Sequence, residues 1–261
     1  MTAPNETAPA VHGNSNDNSN DNSHDSSNDS SNDSSNEATP ATPPDLRPYF
    51  TAAFELFEQH PEGLDVPAWF GHGETTRPLE LDIGSGRGWF LVNESLDHPD
   101  RDFLGLELDF KEGRRAAKRL AKRASPNARV IGGDAREVLR KLIAPHSVET
   151  AHVLFPDPWW KRRHRRRRLF NAEFLDQLAG IVRPGGTLHS ATDVGEYWGV
   201  IAALVDADDR FERLPDREAD VPDAPEHRFL TSFERKKRAE GETIDRGFWR
   251  RRPLSAGASS S

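Results

Sequence analysis

Between residues 49 and 192 the chain alternates short apolar runs with longer amphipathic stretches. After an amphipathic opening (Tyr49, Phe50, Phe54, Leu56, Phe57), strands are predicted at Leu79–Ile83, Asp102–Leu108, Ala128–Gly132, Thr150–Phe155 and Thr187–Thr192. Helices are predicted between them: from Gly88 towards Leu96, from Lys111 to Arg123, from Arg136 onward, and from Phe174 to Val182. The last ends at the turn Arg183-Pro184-Gly185-Gly186. Strands alternating with helices imply right-handed βαβ units and a parallel, doubly wound α/β sheet. Ligands bind such sheets at the carboxyl ends of the strands, and every chemistry-bearing motif in this chain falls at such an end.

The flanks follow another pattern. From Asn14 to Glu37 the chain repeats in fours, NSND-NSND-NSHD-SSND-SSND-SSNE, with no residue able to build a core. Residues 1–44 are therefore expected to be a disordered acidic leader ending in a Pro-rich linker. Residues 45–253 are expected to form one folded domain, and 254–261 a frayed tail. The leader carries seven acids and no Lys or Arg, so the net charge of −8 shrinks to −1 for the remainder. Overall charge thus neither favours nor excludes a nucleic-acid partner, and local patches have to decide.

Composition narrows the chemistry. The absence of cysteine removes disulfides, Cys-based zinc sites and thiol nucleophiles, and no metal is expected. The first residues lack the basic and apolar regions of a signal peptide, and nothing approaches a run of roughly 18 apolar residues. A cytoplasmic protein with no membrane contact is expected.

In LELDIGSGRG, Gly84, Gly86 and Gly88 allow a sharp strand-to-helix turn and a close ligand approach. A dinucleotide fingerprint would place its third glycine one residue later, and a P-loop would need Gly-Lys-Ser/Thr. Asp82, just before the loop, is placed to meet a ligand's ammonium group. Glu107, 23 residues beyond Gly84, is placed for a bidentate hydrogen bond to ribose hydroxyls. Asp134, in GGDAREVL, or the amides beside it, can meet an adenine edge. The three acids suit S-adenosyl-L-methionine better than NAD, because a pyrophosphate calls for amides and a helix N-terminus rather than a carboxylate.

The stretch FPDPWWKRRHRRRRLF follows the fourth strand. Pro156 and Pro158 fix their own φ, and Pro158 restricts Asp157, so this carboxylate can be aimed. Trp159 and Trp160 offer flat faces for stacking a base or fencing a cationic methyl donor. Seven of the eight residues from Lys161 to Arg168 are Lys or Arg. Beside a catalytic edge, Arg165, Arg166, Arg167 and Arg168 read as a phosphate clamp that sets register while the pocket chooses the base. His164 reads as one more backbone contact.

From about Arg77 to Glu234 the chain resembles the bacterial tRNA (guanine-N7)-methyltransferase family. The resemblance is carried by FPDPW-x-K-x-R-H-x-x-R-R-L (Phe155 to Leu169), by HSATD ending at Asp193, and by TSFE from Thr231 to Glu234. It implies a Rossmann-like class I methyltransferase fold, with a doubly wound, mostly parallel seven-stranded sheet and an antiparallel C-terminal hairpin. RFERL (210–214) and RGFWRR (246–251) are candidates for the hairpin. It implies S-adenosyl-L-methionine as cofactor, tRNA as partner, and guanosine 46 of the variable loop as target, in a monomer or homodimer. Asp82, Glu107, Asp134 and Asp157 would contact the cofactor, with Asp157 as catalytic carboxylate. Lys161, Asp193, Thr231, Ser232, Phe233 and Glu234 would contact substrate, with Asp193 or Glu234 reading the guanine edge.

The chain departs from the family in having Asp82 where many relatives carry Glu, in Trp160, in a denser arginine run and in a more basic segment after TSFE. Three rivals remain at this level: an exocyclic-amine methyltransferase, whose Asp/Asn-Pro-Pro-Tyr/Trp motif follows the same strand, a NAD-dependent oxidoreductase, and a non-catalytic RNA-binding module.

Overall fold

A computed structural model describes residues 44–73, 75–159, 161–215 and 231–253. The leader up to residue 43, Trp160 and the tail from 254 lie outside the described residues, as do the side chains of Arg162, Arg165 and Ser232.

The chain opens with strand β1 (Phe50–Ala52), helix α1 (Ala53–Gln59) and the short helix α2 (Val66–Phe70). The βα units follow as β2 (Leu79–Ile83), α3 (Trp89–Asp97), β3 (Asp102–Glu107), α4 (Phe110–Arg123), β4 (Ala128–Gly132), α5 (Ala135–Lys141) and β5 (Val148–Leu154). A 3₁₀ turn at Arg162–Arg167 leads to α6 (Ala172–Ile181), β6 (Val182–Thr192), α7 (Gly195–Asp206), β7 (Phe211–Arg213), α8 (Ser232–Ala239) and β8 (Asp245–Arg251).

The sheet order is β1-β4-β3-β2-β5-β6-β8-β7. β1 through β6 pair in parallel, and β8 runs antiparallel to both β6 and β7. This is the doubly wound, mostly parallel arrangement with a reversed C-terminal hairpin that the sequence resemblance implies. The winding reverses at β2, between β3 and β5, which opens a crevice at the carboxyl end of that strand.

Period-two alternation fills both faces. Leu104, Leu106 and Ile131 join the larger core beneath α5, α6 and α7, whereas Phe103 and Val130 pack with Leu91, Ala116 and Leu120 under α3 and α4. β2 is buried at every position, as a central parallel strand covered on both faces must be.

Two details differ from the sequence expectation. The sheet has eight strands rather than seven, because Phe50–Ala52 of the amphipathic opening pairs with β4 at the edge, Phe50 opposite Val130. Three residues are too few to show a strand period. The turn at Arg183-Pro184-Gly185-Gly186 does not interrupt β6 but is absorbed as a register shift against β5, between the pairs Val148–Val182 and Thr150–Thr187.

A buried polar chain crosses the middle of the sheet. Glu80 Oε1 accepts from Arg101 Nη1 at 2.5 Å, and its Oε2 lies 2.9 Å from His152 Nε2. His152 Nδ1 lies 3.1 Å from His189 Nδ1, and the His189 ring stacks on Phe248 at 4.2 Å. Burial alone would raise the Glu80 carboxyl, but hydrogen bonds and charge from His152 and Arg101 hold it below the usual range. Burial, then His152 and Arg246, push His189 well below the usual imidazole range, so it is neutral. These contacts tie β2, β5 and β6 together beneath the strand ends that carry the site.

Candidate active site

The glycine loop has two parts. At Gly88, φ is +71° and a Cβ would fall 2.6 Å from Ala116 Cβ of α4, so packing of α3 against α4 demands glycine there. Gly84 and Gly86 also have positive φ, but nothing lies within 4 Å of their would-be Cβ, and the backbone there faces open space. Glu107 holds this crest. Its Oε2 accepts from Gly86 N–H at 2.7 Å and its Oε1 from Asp109 N–H at 2.8 Å. The carboxylate therefore keeps the loop open while lining the cleft beside it.

Asp82 lies beneath the loop and is 3% exposed. Burial first, and the charge of Glu107 second, raise its carboxyl to about 7. Asp134 N-caps α5 by accepting from Arg136 N–H at 2.9 Å, and also pairs with the Arg136 guanidinium at 3.2 Å.

The Asp157 turn is conformationally strained. Phe155 and Trp159, on either side of Pro156-Asp157-Pro158, have φ of +53° and +42°. Such values are costly for bulky residues and persist only where surrounding contacts enforce them. Phe155 N–H donates to Ala191 O of β6 at 2.7 Å, and its ring packs 5.0 Å from Phe233. Arg168 Nε donates to Pro158 O at 2.7 Å, and the Arg167 guanidinium sits 5.0 Å over Trp159. Asp157 itself is exposed.

Two clefts meet at this turn. The larger, about 790 Å³, is bordered by Glu107, Asp134, Arg136, Arg166 and Arg167. The other, about 640 Å³, is bordered by Trp89, Asp193, Thr231, Phe233, Lys236 and Lys237. Gly84, Leu154, Phe155, Pro156 and Asp157 belong to both, so one exposed carboxylate stands in the wall the clefts share.

Residues 76–246 match the model of a family described as putative methyltransferases. A tRNA (guanine-N(7)-)-methyltransferase of Rhodopirellula baltica is 34% identical over 205 residues, covering 75% of this chain and 73% of that protein. Its counterpart in Halorhodospira halophila is 38% identical over 195 residues, covering 74% and 82%. The chain belongs to the tRNA (guanine-N7)-methyltransferase family.

In this methyltransferase several sequence-predicted site residues make structural contacts. Arg168 is only 8% exposed; its guanidinium lies over the Tyr197 ring at 4.7 Å and its Nε braces the Asp157 turn. Glu234 is 2% exposed and is bonded by Arg246 Nη2 at 2.5 Å and Arg238 Nε at 3.0 Å. It fastens α8 to β8, and both its cations compete with any base edge. Thr231 caps α8, accepting from Glu234 N–H at 3.0 Å. The T-x-x-E spacing of TSFE is a helix-start signature that the sequence displays openly.

Of the other predicted residues, Asp193 is largely buried and Lys161 is exposed. Asp193 is held by Lys237 Nζ at 3.2 Å and lines the smaller cleft with Phe233. Lys161 stands at the start of the 3₁₀ turn. Sequence reasoning missed Arg136, Lys236, Lys237 and Trp89. The Trp89 indole lies under Arg119 at 4.7 Å and Arg235 at 5.4 Å, which brings α4 and α8 to the rim of the smaller cleft.

The raised Asp82 has a consequence for stability. The folded chain holds this proton between the unfolded value of 3.8 and about 7. The stabilisation it contributes is complete below the unfolded value and is lost as pH rises through the folded one. Asp82→Asn carries no ionisable group, so it should raise Tm at pH 8 by several degrees and by less at pH 5, where only about a third of the stabilisation is lost, a difference between the two pH values of about 3 kcal/mol. Thermal melts at both pH values check this; equal shifts at pH 5 and pH 8 would refute it.

Proposed function

We propose that this protein transfers a methyl group from S-adenosyl-L-methionine to N7 of guanosine 46 in the variable loop of tRNA. Family membership supports methyl transfer to guanine N7 of tRNA; the position within the tRNA rests on the motifs of the Asp157 turn, HSATD and TSFE. The observation that carries the reading is the placement of Asp157 in the wall shared by two clefts, one suited to the methyl donor and one to its acceptor.

The residues fit the donor. An acceptor carboxylate at Glu107 suits vicinal hydroxyls, the Gly84–Gly86 crest offers bare backbone, and Asp134 with its neighbouring amides borders the larger cleft. The buried acid at Asp82 favours a nearby cation over a phosphate. Bound there, S-adenosyl-L-methionine supplies an electrophilic methyl group.

Guanine N7 carries an unprotonated lone pair, so its methylation needs positioning and charge stabilisation rather than a general base. A carboxylate can accept from the donor edge of guanine or stabilise the positive charge that grows on the purine, and Asp157, nearest the reacting pair, is placed for the second role. We assign reading of the guanine edge to Asp193, because Glu234 is committed to Arg246 and Arg238. Adenine, which presents a different donor pattern, would leave such a carboxylate unpaired. Lys161 and the block from Arg165 to Arg167 would hold phosphates. Residues 45–253 are the methyltransferase domain in this reading, at work in the cytoplasm; among the described residues no helix is long and apolar enough to cross a membrane.

The test is incubation of the full chain with unmodified tRNA and labelled S-adenosyl-L-methionine, followed by digestion and mass spectrometry. N7-methylguanosine at position 46 is expected; label on an exocyclic amine, or none on tRNA, would overturn the reading. Arg166→Ala with Arg167→Ala should weaken tRNA binding and reduce the salt slope by about 0.7–0.9 for each phosphate no longer neutralised. An unchanged slope would place the pair against solvent.

A further inference from the structure

Helix α4 carries a cationic ridge most of whose charge the fold leaves unpaired among the described residues. Its sequence, FKEGRRAAKRLAKR, holds seven Lys or Arg and a single acid, Glu112. Gly113, Ala116, Ala117 and Leu120 face the core. Lys111, Arg115, Lys118 and Lys122 recur at helical spacing on the opposite side, and all four are exposed. At 1.5 Å per residue this stripe extends about 16 Å. Glu112 is occupied by Arg87 at 2.9 Å and by Arg115. Among the described residues, no carboxylate pairs with Lys111, Lys118 or Lys122.

A helix shaped only for folding would place Glu four residues before its cations, as α5 does where Glu137 pairs with Lys141 at 2.9 Å. In α4 the i, i+4 spacing instead sets five pairs of like charge against one another, each of which destabilises the helix. The ridge also connects to the site. Asp109, two residues after Glu107, caps the start of α4. Arg119 Nη1 donates to Arg87 O at 2.7 Å and its guanidinium lies over Trp89, on the rim of the smaller cleft.

We propose that the α4 ridge is a second docking surface for the tRNA, taking backbone phosphates from a part of the molecule remote from the target guanosine. The inference rests on the tRNA substrate proposed above. Repelling cations of which only Arg115 has a protein counter-charge among the described residues, continuous with the cleft through Arg119 and Trp89, match a polyanion already held at the site. A contact of this kind adds affinity and orientation and leaves the chemical step alone.

The test compares the full chain with a variant carrying Lys111→Gln, Arg115→Gln, Lys118→Gln and Lys122→Gln. Kd is measured against salt for full-length tRNA and for a short RNA hairpin presenting only the target guanosine. The variant should bind full-length tRNA at least about ten-fold more weakly, with a salt slope lower by about 2. Its affinity for the hairpin and its kcat at saturating RNA should stay within two-fold of wild type. Its Tm should hold or rise, since four of the five like-charge pairs are gone. Lys118→Arg with Lys122→Arg keeps the charge and should bind like wild type. Unchanged Kd and slope for full-length tRNA would overturn the proposal, as would an equal loss on the hairpin. If the wild-type chain methylates tRNA while the variant binds it equally well, the ridge fails and the proposed function stands. If the wild-type chain binds tRNA but methylates it at another atom, the function fails and the ridge stands.

Discussion

Asp157→Ala is expected to lower kcat by about 10³-fold while the Kd for tRNA stays within a few-fold and Tm is unchanged. The size follows from the role: preorganised groups aimed at developing transition-state charge are worth about 10²–10³ each when removed. The selectivity follows from the placement. Asp157 is exposed, and its aim comes from the backbone, from Phe155 and Trp159 at positive φ and from the anchors on Ala191 O and Pro158 O, none of which involves the carboxylate. Truncating it should remove the chemistry and leave the turn standing. Asp157→Asn sharpens the assignment, because the amide keeps one acceptor but loses the negative charge. If charge stabilisation is the main contribution, Asn falls nearly as far as Ala; if accepting from guanine is, Asn recovers at least ten-fold over Ala. Single-turnover assays with saturating tRNA separate these outcomes, and near-wild-type turnover in the Ala variant would sink the assignment.

The parts of this site that are legible in sequence are those whose cause is local. The glycine loop, the acid ending β3 and the proline-braced turn each declare themselves within a few residues, because backbone reach and φ restriction are local properties. Sequence patterns fail where a charge must choose between solvent and a partner distant along the chain. Arg168 looks like any other member of its run until Pro158 O, ten residues upstream, and the Tyr197 ring claim it. Glu234 ends a motif that suggests substrate contact, yet Arg246, a full loop later, takes its carboxylate. Trp89 sits one residue past the glycine loop in an ordinary helix start; its position between Arg119 and Arg235 depends on how α3, α4 and α8 converge. The edge strand β1 was hidden for a simpler reason, since a strand of three residues has no period to read.

Glu107→Ala should weaken S-adenosyl-L-methionine binding by at least about 100-fold, and Glu107→Gln by nearly as much. Both carboxylate oxygens accept from backbone amides, Gly86 N–H at 2.7 Å and Asp109 N–H at 2.8 Å. Hydrogen bonds to a charged group contribute about 1.5–3 kcal/mol each, so losing both releases the loop crest and costs at least two powers of ten wherever loop order is coupled to binding. The glutamine variant isolates the cause. An amide has one acceptor oxygen and one donor NH2, so whichever way it turns, one of the two backbone N–H groups meets a donor instead of an acceptor. A residue needed only for bulk or for a single hydrogen bond would tolerate that exchange, whereas one that must accept from both sides cannot. The Glu107 charge also contributes, after burial, to the raised Asp82, so Glu107→Gln should shift the titration in the Tm profile to lower pH. Calorimetric titration with S-adenosyl-L-methionine reads the first effect and melts across pH read the second. If Glu107→Gln bound within about three-fold of wild type, the glycine loop would have to be held by its own conformation rather than by this carboxylate.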